Sequence, residues 1–87
     1  MKTIYKYEIE TTDHQEIMLP QGAGILTVQT QDDLPCLWAC VDTEAPIHPQ
    51  EISIFGTGHL VPENIGEYIG TYQLNNGRLV FHVFKSS

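Results

Sequence analysis

Basic side chains are scarce in this sequence. Its 87 residues include 4 Lys and Arg against 11 Asp and Glu, which gives a formal net charge of −7. No Lys or Arg lies between Lys6 and Arg78. Nucleic-acid binding depends on Lys and Arg contacts with phosphates, and attraction to anionic lipids also needs clustered bases. The composition therefore argues against direct binding to nucleic acid or to a membrane surface.

The sequence also lacks long apolar segments. No run of apolar residues approaches the roughly 20 that a membrane-spanning helix needs. The first residues contain no apolar stretch like that of a signal peptide. The two cysteines, Cys36 and Cys40, would lie roughly 13 Å apart on one strand, which is too far for a disulfide. We therefore expect one small domain over residues 1–87 that resides in the cytoplasm.

Motifs for catalysis or metal binding are missing as well. A zinc site needs three or four ligands, commonly at short spacings, and no such spacing occurs among His14, His48, His59 and His82. Both cysteines lie in the most apolar segment, where burial leaves a thiol unreactive. We expect no enzymatic activity, no cofactor and no metal site. A hydrolase or metal enzyme is kept as a third hypothesis.

The strongest structural signal is a hairpin near the end of the chain. Two runs rich in aromatic and β-branched residues, 68–74 and 79–85, flank an Asn-Gly pair. A type I′ turn requires positive φ at both central residues, and Asn76 and Gly77 tolerate it at little steric cost. The pattern predicts two antiparallel strands joined at this pair.

Shorter patterns predict five further strands, at residues 4–10, 15–19, 25–31, 36–41 and 51–55. The first two are expected to pair as a hairpin. The segment 36–41 is apolar on both faces, which predicts a central strand with Trp38 in the core. Residues 43–50 are expected to form an exposed loop, and 61–66 a single helical turn. The inward side chains are expected to be Ile17, Leu19, Leu26, Val28, Ile52 and Ile54.

Seven short strands with frequent turn signals predict an all-β domain, or a mainly β domain with one short helical turn. The expected architecture is a single small sandwich or a partly open barrel of antiparallel strands.

Tyrosines on the predicted strands suggest a protein interface. Tyr5 and Tyr7 alternate onto one face of their strand, and Tyr68 and Tyr72 share a face of another. If these two strands pair, the rings stack across them. Tyrosines on a sheet face with acids around them are typical of protein-binding surfaces. The predicted interface consists of Tyr5, Tyr7, Tyr68, Tyr72, Glu8 and Glu10.

A glycine-rich turn offers an alternative site. Two glycines spaced by one residue let a backbone approach a ligand or another strand closely. Backbone N–H groups in such a turn can also receive an anion. The turn lacks the Gly-Lys-Ser/Thr ending of a phosphate loop, so a simple tight turn is the competing interpretation. The candidate residues are Gly56, Thr57, Gly58 and His59.

Three stretches carry a resemblance to a known family. They are 35–42 (PCLWACVD), 54–59 (IFGTGH), and the hairpin strands 68–73 (YIGTYQ) and 79–84 (LVFHVF). Together they resemble a family of small acidic proteins of unknown function from tailed phages and prophages. The similarity spans residues 2–85, and its motifs are structural. The resemblance implies a protein of the infected bacterial cytoplasm, a setting in which small phage proteins often inhibit host machinery or host defence.

These observations lead to two main functional hypotheses. The first is a non-catalytic phage or prophage protein that docks on a bacterial protein, and inhibits it, through the acidic, tyrosine-bearing surface; a homodimer is a further expectation. The second is a binder of a small anionic ligand, such as a nucleotide, at the Gly56–His59 turn.

Overall fold

The chain folds as seven antiparallel strands. The computed structural model describes residues 1–86 and contains β1 (Lys2–Glu8), β2 (His14–Pro20), β3 (Gly24–Gln31), β4 (Leu34–Asp42), β5 (Ile47–Gly56), β6 (Glu67–Leu74) and β7 (Leu79–Lys85). Within these residues no helix forms, so none is present that could span a membrane. The predicted all-β class is confirmed, whereas the predicted helical turn at 61–66 is wrong, since that segment is irregular.

Two sheets pack face to face. One has the strand order β1-β4-β3 and the other β2-β5-β7-β6, and they do not close into a barrel. The Cα atoms span 39 × 32 × 15 Å, so the molecule is a thin slab with two broad faces. Each strand alternates between the shared core and one of these outer faces.

The core is built from short aliphatic side chains of both sheets. In the three-stranded sheet, β4 contributes Leu37, Ala39 and Val41, all at most 1% exposed. The opposite sheet contributes Ile17, Leu19, Ile52, Ile54, Tyr72 and Val83. The predicted central position of β4 is confirmed, because it lies between β1 and β3.

Trp38 does not belong to this core, contrary to prediction. Its neighbours Leu37 and Ala39 point inward, so the alternation of the strand turns Trp38 to the outer face. The side chain is half-buried there, opposite Lys6 on β1 and Thr27 on β3.

The predicted first hairpin is wrong. β1 pairs with β4, and β2 pairs with β5 in the other sheet. The chain crosses between the sheets immediately after β1, and Ile9 at this crossing is 5% exposed. Its N–H donates to the carbonyl of Pro35 at 3.1 Å. Burial of Ile9 between the sheets therefore replaces the tight turn that the polar residues 11–14 suggested.

A bulge corrects the pattern predicted for β3. The pairing with β4 shifts between Ile25 and Thr27. Val28 is buried as expected, but Leu26 lies at the bulge and is 51% exposed. An extra residue in one strand reverses the alternation beyond it, which sequence periodicity alone does not reveal.

Strand β5 begins earlier than predicted. Residues 47–50, expected as a loop, pair with 17–20 of β2. Pairing between β5 and β7 starts only at Ile52. Pro49 therefore lies where β5 has a neighbour on one side alone, a position at which a strand accepts a residue without an N–H group.

The C-terminal hairpin is confirmed. Its last paired residues are Leu74 and Leu79, and the N–H of Arg78 donates to the carbonyl of Asn75 at 3.2 Å. The predicted pair has positive φ, 57° at Asn76 and 82° at Gly77. Asn75 also adopts positive φ, at 55°, which widens the connection to four residues.

Gly70 of β6 lies close to Val28 of β3 in the other sheet. A Cβ atom there would lie 3.0 Å from Val28 Cγ2 and 3.4 Å from the Val28 backbone N. Glycine therefore permits the contact between β3 and β6 at this corner of the sandwich.

We expect Gly70→Ala to lower the free energy of unfolding by about 1–3 kcal/mol, because the added methyl group overpacks the corner. Gly24→Ala is the matched control, since a Cβ at Gly24 meets nothing within 4 Å. Urea unfolding of both variants measures the difference. Equal stabilities would contradict the packing role of Gly70.

Candidate protein-binding surface

The predicted tyrosines do not form one surface. Tyr5 and Tyr7 lie on β1 in the three-stranded sheet, and Tyr68 and Tyr72 on β6 in the other sheet. The predicted stacking across paired strands is therefore wrong. Tyr5 and Tyr7 do share a face, with ring centroids 6.5 Å apart and edge-on. Tyr7 packs against the core, which leaves Tyr5, 46% exposed, as the accessible ring of this pair.

A second bulge separates Tyr68 from Tyr72. The pairing of β6 with β7 shifts between Tyr68 and Gly70, so the two tyrosines point to opposite faces. Tyr72 is 2% exposed, and its hydroxyl lies 2.7 Å from Thr11 Oγ1. It is a core residue and is not accessible to a partner. Tyr68 is 57% exposed on the outer face.

Burial of Tyr72 has a consequence at alkaline pH. Desolvation in the core raises the pKa of its phenol above the ordinary value. Because the folded state holds this proton more tightly than the unfolded chain, the contribution to stability is complete below about pH 10. It is lost as the pH rises through the pKa of the folded state.

The free energy of unfolding should consequently fall as pH rises above about 10, and Tyr72→Phe should flatten that fall. A residual slope is expected from Tyr7, whose pKa is also raised by burial. Urea unfolding between pH 8 and 11.5 tests this, with Tyr5→Phe as the control. An unchanged slope in Tyr72→Phe would contradict it.

The outer face of the four-stranded sheet carries an aromatic cluster that we call the aromatic face, formed by Phe55, Tyr68 and Phe84. The centroids of Phe55 and Phe84 lie 5.9 Å apart, and those of Tyr68 and Phe84 lie 5.5 Å apart. Phe55 and Phe84 are half-buried. Sequence reasoning missed both phenylalanines, although the inward positions of Ile52 and Ile54 imply that Phe55 points outward.

Polar side chains border these rings in rows across the sheet. One row runs His14, Ser53, Phe84 and Tyr68, one residue from each strand. His14 Nδ1 lies 3.0 Å from Ser53 Oγ. In the next row on the same face, Glu16 of β2 lies directly opposite Glu51 of β5. Two carboxylates facing each other across strands repel, and a cation bound between them would relieve that repulsion.

His82 anchors the other side of the aromatic face. Its Nε2 lies 2.7 Å from Thr57 Oγ1 and its Nδ1 lies 3.0 Å from Thr71 Oγ1. Thr71 Oγ1 in turn lies 2.6 Å from the hydroxyl of Tyr68. The imidazole is half-buried, and each of its ring nitrogens lies within hydrogen-bonding distance of a threonine hydroxyl. This series of hydrogen bonds holds the ring of Tyr68 in place at the surface.

The side chain of His59 folds back over the Gly56–His59 turn. The imidazole of His59 packs over Gly56, where a Cβ atom would lie 2.8 Å from the His59 Cε1. The N–H of His59 donates to the carbonyl of Gly56 at 3.0 Å, and Gly58 adopts φ 89°. Residues of the turn and Arg78 line a common hollow of about 330 Å³. Sequence spacing alone does not predict that Arg78 lies beside the turn.

The predicted acids lie away from the aromatic face. Glu8 is on β1, opposite Cys36 in the three-stranded sheet. Glu10 lies in the crossing after β1, where its N–H donates to Gln15 Oε1 at 3.1 Å. Cys36 and Cys40 are free thiols. Over residues 1–86, no three His, Cys, Asp or Glu side chains are grouped as a metal site requires.

These features define the chain as a small two-sheet antiparallel β domain with an exposed aromatic face. It belongs to the family of the domain of unknown function DUF7352, whose model matches residues 1–87. Searches of curated proteins and of solved structures each returned no match.

Proposed function

We propose that this chain is a non-catalytic binding protein that docks on a basic surface of a bacterial protein through the aromatic face. The observation that carries the proposal is the cluster of Phe55, Tyr68 and Phe84 on the outer side of the four-stranded sheet. Aromatic side chains supply large contact areas at little conformational cost and are enriched among the residues that dominate binding energy. The proposal thus keeps Tyr68 of the predicted interface and replaces its other tyrosines with two phenylalanines.

Charge supports a basic partner. The chain carries a net charge of −7, and no Lys or Arg occurs on β2 or β5. A Lys or Arg of the partner could lie over the ring of Phe84 or Tyr68 and also approach Glu16 and Glu51. Cation–π attraction and neutralisation of the two opposed carboxylates would then act together.

The resemblance to phage and prophage proteins supports a partner in the bacterial cytoplasm, and inhibition of a host or host-defence protein as the outcome. An acidic surface that competes for a basic patch blocks whatever that patch normally binds.

Tyr68→Ala should weaken the complex with its bacterial partner by about 30-fold, the loss of a hot-spot side chain worth about 2 kcal/mol. The partner is first captured from bacterial lysate on wild-type protein and identified by mass spectrometry. Its affinity for each variant is then measured by calorimetry.

Raising the salt from 50 to 300 mM should weaken wild-type binding by about tenfold or more, since exposed charges are screened.

Tyr5→Ala is the matched control, because Tyr5 is an exposed tyrosine of the other sheet. We expect it to bind as the wild type does. A complex that tolerates Tyr68→Ala but is lost in Tyr5→Ala would overturn the assignment to the aromatic face, and an affinity independent of salt would overturn the electrostatic part.

A second candidate function is binding of a small anion in the hollow beside the Gly56–His59 turn. Its support is Arg78, which lines this hollow with His59. A guanidinium can bind phosphate oxygens in a bidentate manner, and an imidazole N–H can add a further donor.

Under this second function, ATP or inorganic phosphate at a tenfold excess over its Kd should stabilise the protein by about 1.4 kcal/mol, seen as a rise in Tm. Arg78→Gln should abolish the rise, whereas Lys85→Gln, which removes a cation outside the hollow, should retain it. No stabilisation at 10 mM of either ligand would discard this function.

A further inference from the structure

The outer face of the three-stranded sheet presents a second apolar surface, which we call the Trp38 face. It consists of Ile4, Trp38 and Cys40, whose positions alternate with core residues on β1 and β4. Ile4 lies directly opposite Cys40 and is 58% exposed. Trp38 and Cys40 are half-buried.

The chain covers only one end of this sheet. Lys6 on β1 reaches across β4 to Gln31 on β3, where Nζ donates to Oε1 at 2.6 Å. Cys36 beneath this bridge is 2% exposed although it points away from the core. No such bridge passes over Ile4 and Cys40 among the hydrogen bonds of residues 1–86. The aliphatic and indole groups at this end remain in contact with solvent.

Charge distinguishes the Trp38 face from the rest of the molecule. The charged side chains of β1 and β4 that share its orientation are Lys2, Lys6, Glu8 and Asp42, two cations and two anions. Half of the four basic residues of the chain therefore lie on a locally neutral face, whereas the whole chain carries −7. A basic partner gains no attraction from this face.

We infer that the Trp38 face is the contact between two copies of this chain. A two-fold symmetric contact brings a surface against itself, so the surface must be self-complementary. A face with both signs of charge around an apolar centre satisfies this condition, whereas the acidic outer face of the opposite sheet would repel its own copy.

The small size of the face is consistent with a weak dimer. The strands β1, β4 and β3 have 7, 9 and 8 residues. At about 3.3 Å per residue and about 4.8 Å between strands, the face covers roughly 26 by 14 Å, or about 370 Å² per copy. The total of about 740 Å² is below the roughly 1,200–2,000 Å² of stable specific complexes and in the size range of weak, transient ones. We therefore expect a reversible dimer with Kd no tighter than the micromolar range.

Dimerisation at this face leaves both aromatic faces open. The Trp38 face and the aromatic face belong to different sheets and lie on opposite sides of a slab that is 15 Å thick across its Cα atoms. If the proposed function is correct, the dimer is bivalent and presents two partner-binding faces that point in opposite directions. The dimer itself does not depend on that function.

Sedimentation equilibrium over 1 μM to 1 mM tests the inference, with fluorescence of Trp38, the single tryptophan of the chain, as a second readout. Wild-type mass should rise from one chain to two with concentration, and the Trp38 emission should shift to shorter wavelength in parallel as the indole leaves water. Ile4→Glu should weaken association at least tenfold, because it adds like charge and removes apolar area from both copies.

Ile47→Glu is the matched control, since Ile47 is 57% exposed on the other sheet and Ile4 is 58% exposed. Thermal unfolding of both variants checks that they fold. Added salt should preserve or strengthen the dimer by screening the net repulsion of the copies, whereas it should weaken partner binding. A wild-type monomer at 1 mM, or equal losses in Ile4→Glu and Ile47→Glu, would overturn the inference and leave the proposed function unaffected.

Discussion

The fold depends on the packing of the inner faces of the two sheets against each other. Leu37, Ala39 and Val41 from one sheet meet a layer of aliphatic side chains from the other, and these are among the most buried residues of the chain. A domain of this size has a small core, so nearly every second side chain of each strand must point outward. The composition of the two outer faces is therefore as much a part of the fold as the core.

The outer faces differ in chemistry. One carries three aromatic rings held beside a hydrogen-bonded histidine and two opposed carboxylates. The other carries a tryptophan and an isoleucine amid balanced charges. Because the net charge of −7 acts on every encounter, we propose the neutral face for contact with a second copy and the acidic face for a cation-rich partner. In these two proposals, self-association and partner binding use separate faces of one thin sandwich.

Much of the architecture could be predicted from alternation and turn residues. Asn76 and Gly77 predict the C-terminal hairpin because both accept positive φ, and the unbroken apolar run of β4 predicts its central position. The partners of β1 and β2 could not be predicted, since the polar residues 11–14 suit a hairpin turn and a crossing between sheets equally well. Only the burial of Ile9 between the sheets distinguishes the two.

The candidate site could be predicted only in part, because β-bulges change the face to which a side chain points. One extra residue between Tyr68 and Gly70 sends Tyr72 into the core and leaves Tyr68 at the surface, although their spacing places both on one face of a regular strand. The glycine turn was located correctly, but Arg78 joins it only through the folding of the hairpin. Interfaces assembled from several strands depend on register, which local sequence does not specify.

The crossing after β1 also determines the order in which pairing can occur during synthesis. β1 and β2 do not pair with each other. β1 pairs with β4, which begins at Leu34, and β2 pairs with β5, which begins at Ile47. The hairpin of β3 and β4, with positive φ at both Asp32 and Asp33, is the first pair of strands that an emerging chain can complete. The N-terminal strand has no partner before β4 is synthesised. All three strands of the sheet that carries Trp38 end by Asp42, whereas the sheet that carries Tyr68 also needs β7, which ends at Lys85.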